Sequence, residues 1–193
     1  VASLALLGFT IGMAIYARLL GRLGGPTYAA ATFALLGGGH LVFGFWPSYA
    51  TLLGGYGVAV GLAAGLGYGL ALSLATSVAD AHQAMAVGLT MASFALSGIL
   101  LPLFGGDWIA TTDPAVSFRW IGWTGVALGA VIVALLGGTA PKLSESGGIP
   151  VGAPDSMLSA TRLWLFVIFF LMCFVGLMLV AQVNGIAASK GLA

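Results

Sequence analysis

Residues 50–77 read ATLLGGYGVAVGLAAGLGYGLALSLATS, and no charged side chain interrupts them. A helix needs about 20 apolar residues to cross a hydrocarbon core of about 30 Å, so this stretch is long enough to span a bilayer. Gly57, Gly61, Gly65 and Gly69 recur every fourth residue within it, a repeated small-xxx-small pattern that lets a second helix backbone come close. At about 100° per residue these glycines cover an arc of roughly 0–120° measured from Gly57. Leu62, Leu66 and Leu70 then fall near 140, 180 and 220° and are expected to face lipid, while Tyr68, near 20°, points into the protein. Tyr56 falls near 260°, on the flank. The same stretch contains Gly55-x-Gly57 and Gly65-x-Gly67-x-Gly69. A nucleotide-binding fingerprint would need a strand, a turn and a helix in succession, which a continuous apolar span does not offer.

The rest of the chain has the same character. Of its 193 residues 60% are hydrophobic, 6% are charged and 31 are glycine, against roughly 25% charge and about 7% glycine in an ordinary soluble domain. That balance excludes a water-soluble globule and, by its hydrophobicity, a disordered chain. The net charge of +1 leaves no basic field to hold nucleic acid. The single cysteine, Cys173, cannot pair within the chain. The fold class expected is all-α, a polytopic helical membrane protein with six transmembrane helices. The spans fall at about 1–20, 27–46, 50–77, 84–104, 119–138 and 162–188. Their continuous Leu/Ala-rich runs argue against the ten-residue alternation of a β-barrel. Trp46-Pro47-Ser48 divides the second span from the third. Residues 105–118 read as a polar outside loop, and residues 139–161, rich in proline and glycine, as a cytoplasmic linker. The domains expected are an incomplete N-terminal bundle at 1–138, the linker, and the first helix of a second bundle at 162–193. The chain starts at valine in the middle of an apolar run, which reads as a piece of a longer protein without a signal peptide.

Arg18, Arg22, Lys142 and Arg162 lie in connections of one parity, Arg119 and Lys190 in the other. Basic residues are retained on the cytoplasmic side, so the 18–27 and 80–83 turns and the linker belong inside and both chain ends outside, in the cell (inner) membrane.

Enzyme chemistry finds no support. His40, near the outer end of the second span, and His82, in an inside turn, are too far apart to share a metal. Asp80-x-His82 reads as a solvated turn, and neither H-E-x-x-H nor G-x-S-x-G occurs. No cofactor or metal is expected. Further small-residue pairs, Gly8/Gly12, Ala84/Gly88/Ala92 and Gly125/Gly129, read as helix packing. The polar groups at depth are Tyr68, Ser73, Ser93, Ser97, Gln182 and Asn184. For the serines, a bond back to their own helix carbonyl is the first expectation.

Three segments, in order, resemble the major facilitator superfamily. Residues 17–26, ARLLGRLGGP, resemble a degenerate copy of the G-x-L-a-D-R-x-G-r signature. Residues 80–88, DAHQAMAVG, resemble the P-D-R-R-G-L-A-x-G turn. Residues 155–165, DSMLSATRLWL, followed by Gly176-Leu177-Met178 and Ala181-Gln182-Val183, are similar to the entry to helix seven in the oxalate/formate antiporter subfamily. With Gly65-Leu66-Gly67-Tyr68-Gly69, this last match is the specific one. The resemblance implies that the six spans are helices two to seven of that bundle, helix one and helices eight to twelve being absent. It implies a secondary transporter exchanging small organic anions such as mono- or dicarboxylates, with the bilayer and the remaining helices of the parent transporter as partners. A conformational loop would be formed by Arg18, Gly21, Arg22, Gly24 and Asp80, and substrate contacts by Tyr68, Ser93, Ser97 and Gln182. Gly21 stands where the signature has aspartate, and His82-Gln83 where the next turn has paired bases, which weakens the charge-assisted latch of these loops. The rival reading is a non-transporting multi-span membrane scaffold or partner-binding protein.

Overall fold

The computed structural model describes residues 1–139, which are all-helical. Five long helices follow one another: α1 (Ala2–Leu23), α2 (Gly25–Phe45), α3 (Tyr49–Thr76), α4 (Asp80–Thr111) and α5 (Pro114–Thr139). Four helices are long and apolar enough to cross a membrane, Ala2–Leu23, Gly25–Phe45, Tyr49–Thr76 and Pro114–Gly137. The chain divides between Ile149 and Pro150 into two units. Most of the linker and the sixth span lie outside the described residues.

The turns are shorter than their sequences predict. Between α1 and α2 only Gly24 leaves helical geometry. Its φ of 73° suits glycine, its N–H donates to the Leu20 carbonyl at 3.0 Å, and its carbonyl accepts from Tyr28 N at 2.9 Å. Pro26, in the first turn of α2, gives up an N–H that would have had no helical partner. Arg18, Gly21 and Arg22, expected in a loop, belong to α1. At the Trp46-Pro47-Ser48 turn, Ser48 and Thr51 form a reciprocal cap. Ser48 Oγ accepts from Thr51 N at 3.1 Å, and Ser48 N donates to Thr51 Oγ1 at 3.0 Å. Asp80 to Gln83, expected as a turn, form the first turn of α4, and Gln83 Nε2 donates to the Thr76 carbonyl at 2.8 Å. The outside loop expected over 105–118 is helical except at Thr112 and Asp113, where Asp113 Oδ1 accepts from Ala115 N at 2.7 Å and Pro114 opens α5.

Within α3, residues Leu52–Val60 form a π-helix, and the Gly61 N–H reaches the Tyr56 carbonyl five residues back. The span expected to be uninterrupted is therefore continuous but locally widened. Gly54, Gly55 and Gly57 in this segment carry no Cβ to resist that path.

α1 runs parallel to α3, fitted along its glycine face. Gly57 lies against Leu4, Gly61 against Ala5, Gly65 against Phe9 and Met13, and Gly69 against Tyr16. Gly8 and Gly12 on α1 return the fit, since a methyl on either would lie 3.0 Å or less from the α3 backbone at Leu62 to Leu66. α2 runs antiparallel to both α3 and α5. Gly39 and Gly55 bring α2 and α3 into backbone contact, and Gly37 and Gly122 do so for α2 and α5.

The leucine face of α3 corrects the sequence reading. Leu66 and Leu70 are 7% and 3% exposed and join Leu20, Tyr28, Ala29 and Leu136 in the core, with half-buried Leu62 beside them. The Tyr28 hydroxyl donates to the Leu66 carbonyl at 2.9 Å, pinning α2 to this face. The small residues of α3 thus meet α1 and, at Gly55, α2, while its large ones enter the core with Leu20 of α1 and Tyr28 and Ala29 of α2. The exposed apolar side chains are Leu6, Leu7 and Ile11 on α1, Met85, Leu89 and Phe104 on α4, and Trp120, Trp123 and Leu135 on α5, among others.

Candidate functional site

Tyr68 leaves α3 beside the glycine face and stands where α1, α3 and α4 meet. Its half-buried ring lies 5.8 Å from Phe9 of α1 and 5.2 Å, edge-on, from Phe94 of α4, with Phe9 and Phe94 6.2 Å apart. Tilted and edge-to-face pairs at these separations are favourable beyond their burial. The phenol oxygen has no hydrogen-bond partner among the described residues, so this aromatic corner carries a donor and acceptor that none of them uses.

The other expected substrate contacts do not join it as free hydroxyls. Ser93 Oγ donates to the Leu89 carbonyl at 2.8 Å, and Ser97 Oγ donates to the Phe94 carbonyl at 2.7 Å, both on the exposed side of α4. Their protons are spent within their own helix, which leaves only acceptor lone pairs. Gln182 lies outside the described residues. Ser73, on the leucine face of α3, differs. It is 3% exposed and its Oγ has no hydrogen-bond partner among the described residues.

Around the first turn, Arg18, Gly21, Arg22 and Gly24 are all exposed, and a Cβ at Gly21 or Gly24 would meet nothing within 4 Å. Asp80 begins α4 across the α3–α4 turn. Among the described residues no group of three or more His, Cys, Asp or Glu side chains could hold a metal ion.

A second aromatic cluster escapes the sequence. His40 of α2 packs against Tyr56 of α3 at 6.0 Å and Phe118 of α5 at 5.6 Å, and Phe118 meets Phe43 at 4.7 Å and Tyr56 at 5.6 Å. Residues 105–118 read as a loop, so nothing in the sequence placed Phe118 on a helix facing α2. The aromatic spacing of His40 and Phe43 was the available signal.

No protein family, curated protein or solved structure matches this chain.

Proposed function

We propose that the chain is part of a secondary transporter of the major facilitator type, exchanging small organic anions by alternating access. The observation that carries this reading is the α3 stretch Gly65-Leu66-Gly67-Tyr68-Gly69. Its glycines seat α1, while Tyr68, between Phe9 and Phe94, presents an unused hydroxyl at the junction with α4. A helix seated without side-chain bulk and an aromatic wall next to it suit a half-bundle that lines a midplane site, where such transporters bind their substrates. The order of the signature-like 17–26 segment, the 80–88 segment and the 155–183 segment supports the same reading. Transfer of a carboxylate out of water needs compensating charge. Arg18, Arg22 and Arg119 lie toward helix ends, so this reading assigns the cation to the other half of the transporter.

The test is counterflow. The full transporter implied by the resemblance is reconstituted in liposomes loaded with an unlabelled dicarboxylate, and uptake of labelled monocarboxylate or dicarboxylate is measured. Exchange above that of empty liposomes is expected. Absence of flux for every anion tried, from correctly folded protein, rejects transport in favour of a scaffold.

A further inference from the structure

α2 carries an imidazole inside its apolar span. His40 stands five residues before the Phe45 end of Gly25–Phe45, about 7.5 Å along the axis at 1.5 Å per residue, and so within a hydrocarbon layer about 30 Å thick. It is 8% exposed. An ionisable side chain at such depth is costly and marks a functional position by default. Its Nδ1 lies 2.8 Å from the Leu36 carbonyl. A carbonyl only accepts, so Nδ1 carries the hydrogen, and in the neutral ring Nε2 is left as an acceptor. No described residue donates to it. The rings of Phe118 and Tyr56, at 5.6 and 6.0 Å, lie at the distance where aromatic faces attract a cation. The other titratable or charged groups on the surrounding elements are few. Tyr49, at the start of α3, is exposed. On α5, Arg119 sits 5.8 Å over the Phe45 ring, and just before it Asp113 holds the Ala115 N–H. On α2 itself, Tyr28 is committed to the Leu66 carbonyl.

We propose that His40 is a proton-binding site. A proton from hydronium in the surrounding solution adds to the Nε2 lone pair and leaves water behind, Nε2 turns from acceptor to donor, and the ring gains one positive charge between Tyr56 and Phe118. Tyr56 belongs to the π-helical segment Leu52–Val60, and π-helical turns are rare and concentrate at functional positions. Because α2, that segment and the start of α5 all contribute to the cluster, the charge on His40 sets how the Phe45 end of α2 packs on both neighbours.

The inference goes beyond the transport reading and is read without substrate, so either can fail alone. The whole chain is placed in lipid nanodiscs with 15N-histidine and 13C-tyrosine, and His82→Gln leaves a single imidazole. At the upper end of a titration over roughly pH 4–8, extended downward because burial disfavours the charged ring, the neutral tautomer with hydrogen on Nδ1 is expected. As the pH falls, Nε2 is expected to move from the unprotonated to the protonated shift range, and the Tyr56 ring signal, assigned with Tyr56→Phe, to move with the same midpoint. His40→Gln is expected to lose the Tyr56 movement. If that variant does not fold, His40→Phe, which refills the space, is expected to lose it too. An Nε2 that stays unprotonated throughout overturns the proposal. So does a titrating His40 beside an unmoved Tyr56, or a Tyr56 movement that survives without His40.

Discussion

A single methyl group separates glycine from alanine, and at Gly61 there is no room for it, because it would fall within 3.0 Å of the Ala5 backbone. Gly61→Leu is therefore expected to destabilise the chain by about 1–3 kcal/mol or more, the range for overpacking a close-packed core. Gly88→Leu, where a Cβ meets nothing within 4 Å, should stay within about 0.5 kcal/mol. Thermal unfolding of both variants in the same detergent decides it, and equal losses would remove the α1–α3 contact as the cause. Tyr68 makes a different residue-scale prediction. Its hydroxyl is unused within the described protein and its ring is already held by Phe9 and Phe94, so Tyr68→Phe should leave folding unchanged. On the proposed transport reading it should weaken anion binding by the full protein by about 1.5–3 kcal/mol, the worth of a hydrogen bond to a charged group. Wild-type affinity in that variant would take Tyr68 out of the site. At this scale the sequence was legible where size alone decided the outcome. The four-residue glycine period of α3 could be read directly, but the burial of Leu66 and Leu70 could not, since lipid tails and a neighbouring helix are equally apolar and periodicity cannot tell them apart.

Helix ends depend on a few hydrogen bonds, and the reciprocal cap between Ser48 and Thr51 starts the helix that holds most of the contacts. Ser48→Ala should cost about 0.5–2 kcal/mol, and Thr51→Ala a comparable amount. If the two bonds act as one unit, the double variant loses less than the sum of the two in an unfolding cycle. At the α1–α2 turn the open space around Gly21 accommodates an aspartate without strain. On the proposed transport reading, Gly21→Asp, which restores the acid of the signature the segment resembles, should bias the full protein toward an inside-closed state. Labelling of an inside-facing cysteine should then slow, and an unchanged rate argues against a latch. Elements were legible where an apolar run ended at proline, as at Pro47. They were misread where glycine and polar residues continued a helix: Gly105, Gly106 and Thr111 all belong to α4, because in a bundle glycine serves close packing as often as it serves turns. That misreading also hid the cluster around His40, which depends on Phe118 lying on α5.

For the molecule as a whole, the basic residues argue for an orientation. Four of the six flank connections of one parity, and the orientation we propose from that bias has both chain ends outside. Cysteines introduced by Thr111→Cys and Ser156→Cys should respond oppositely to a membrane-impermeant label applied to intact cells, the first reacting and the second not. Label on Ser156→Cys from outside overturns the orientation. The all-helical class was legible from composition and from the length of the apolar runs, whereas the pairing of helices was not, because every span is apolar and only the positions of glycine distinguish its neighbours. That pairing also bears on how the chain is made. α1 fits α3 far more extensively than it fits α2, yet α2 lies between them in sequence, so during synthesis α1 enters the bilayer well before its main partner exists. Until α3 emerges from the ribosome, Gly8 and Gly12 lack the helix backbone they fit in the folded chain, and α1 is expected to hold its place by its own hydrophobicity and its terminal arginines. A ribosome stalled after α2 should carry an α1 that a lipid-soluble crosslinker attaches to phospholipid, and release past Thr76 should redirect that crosslink to α3.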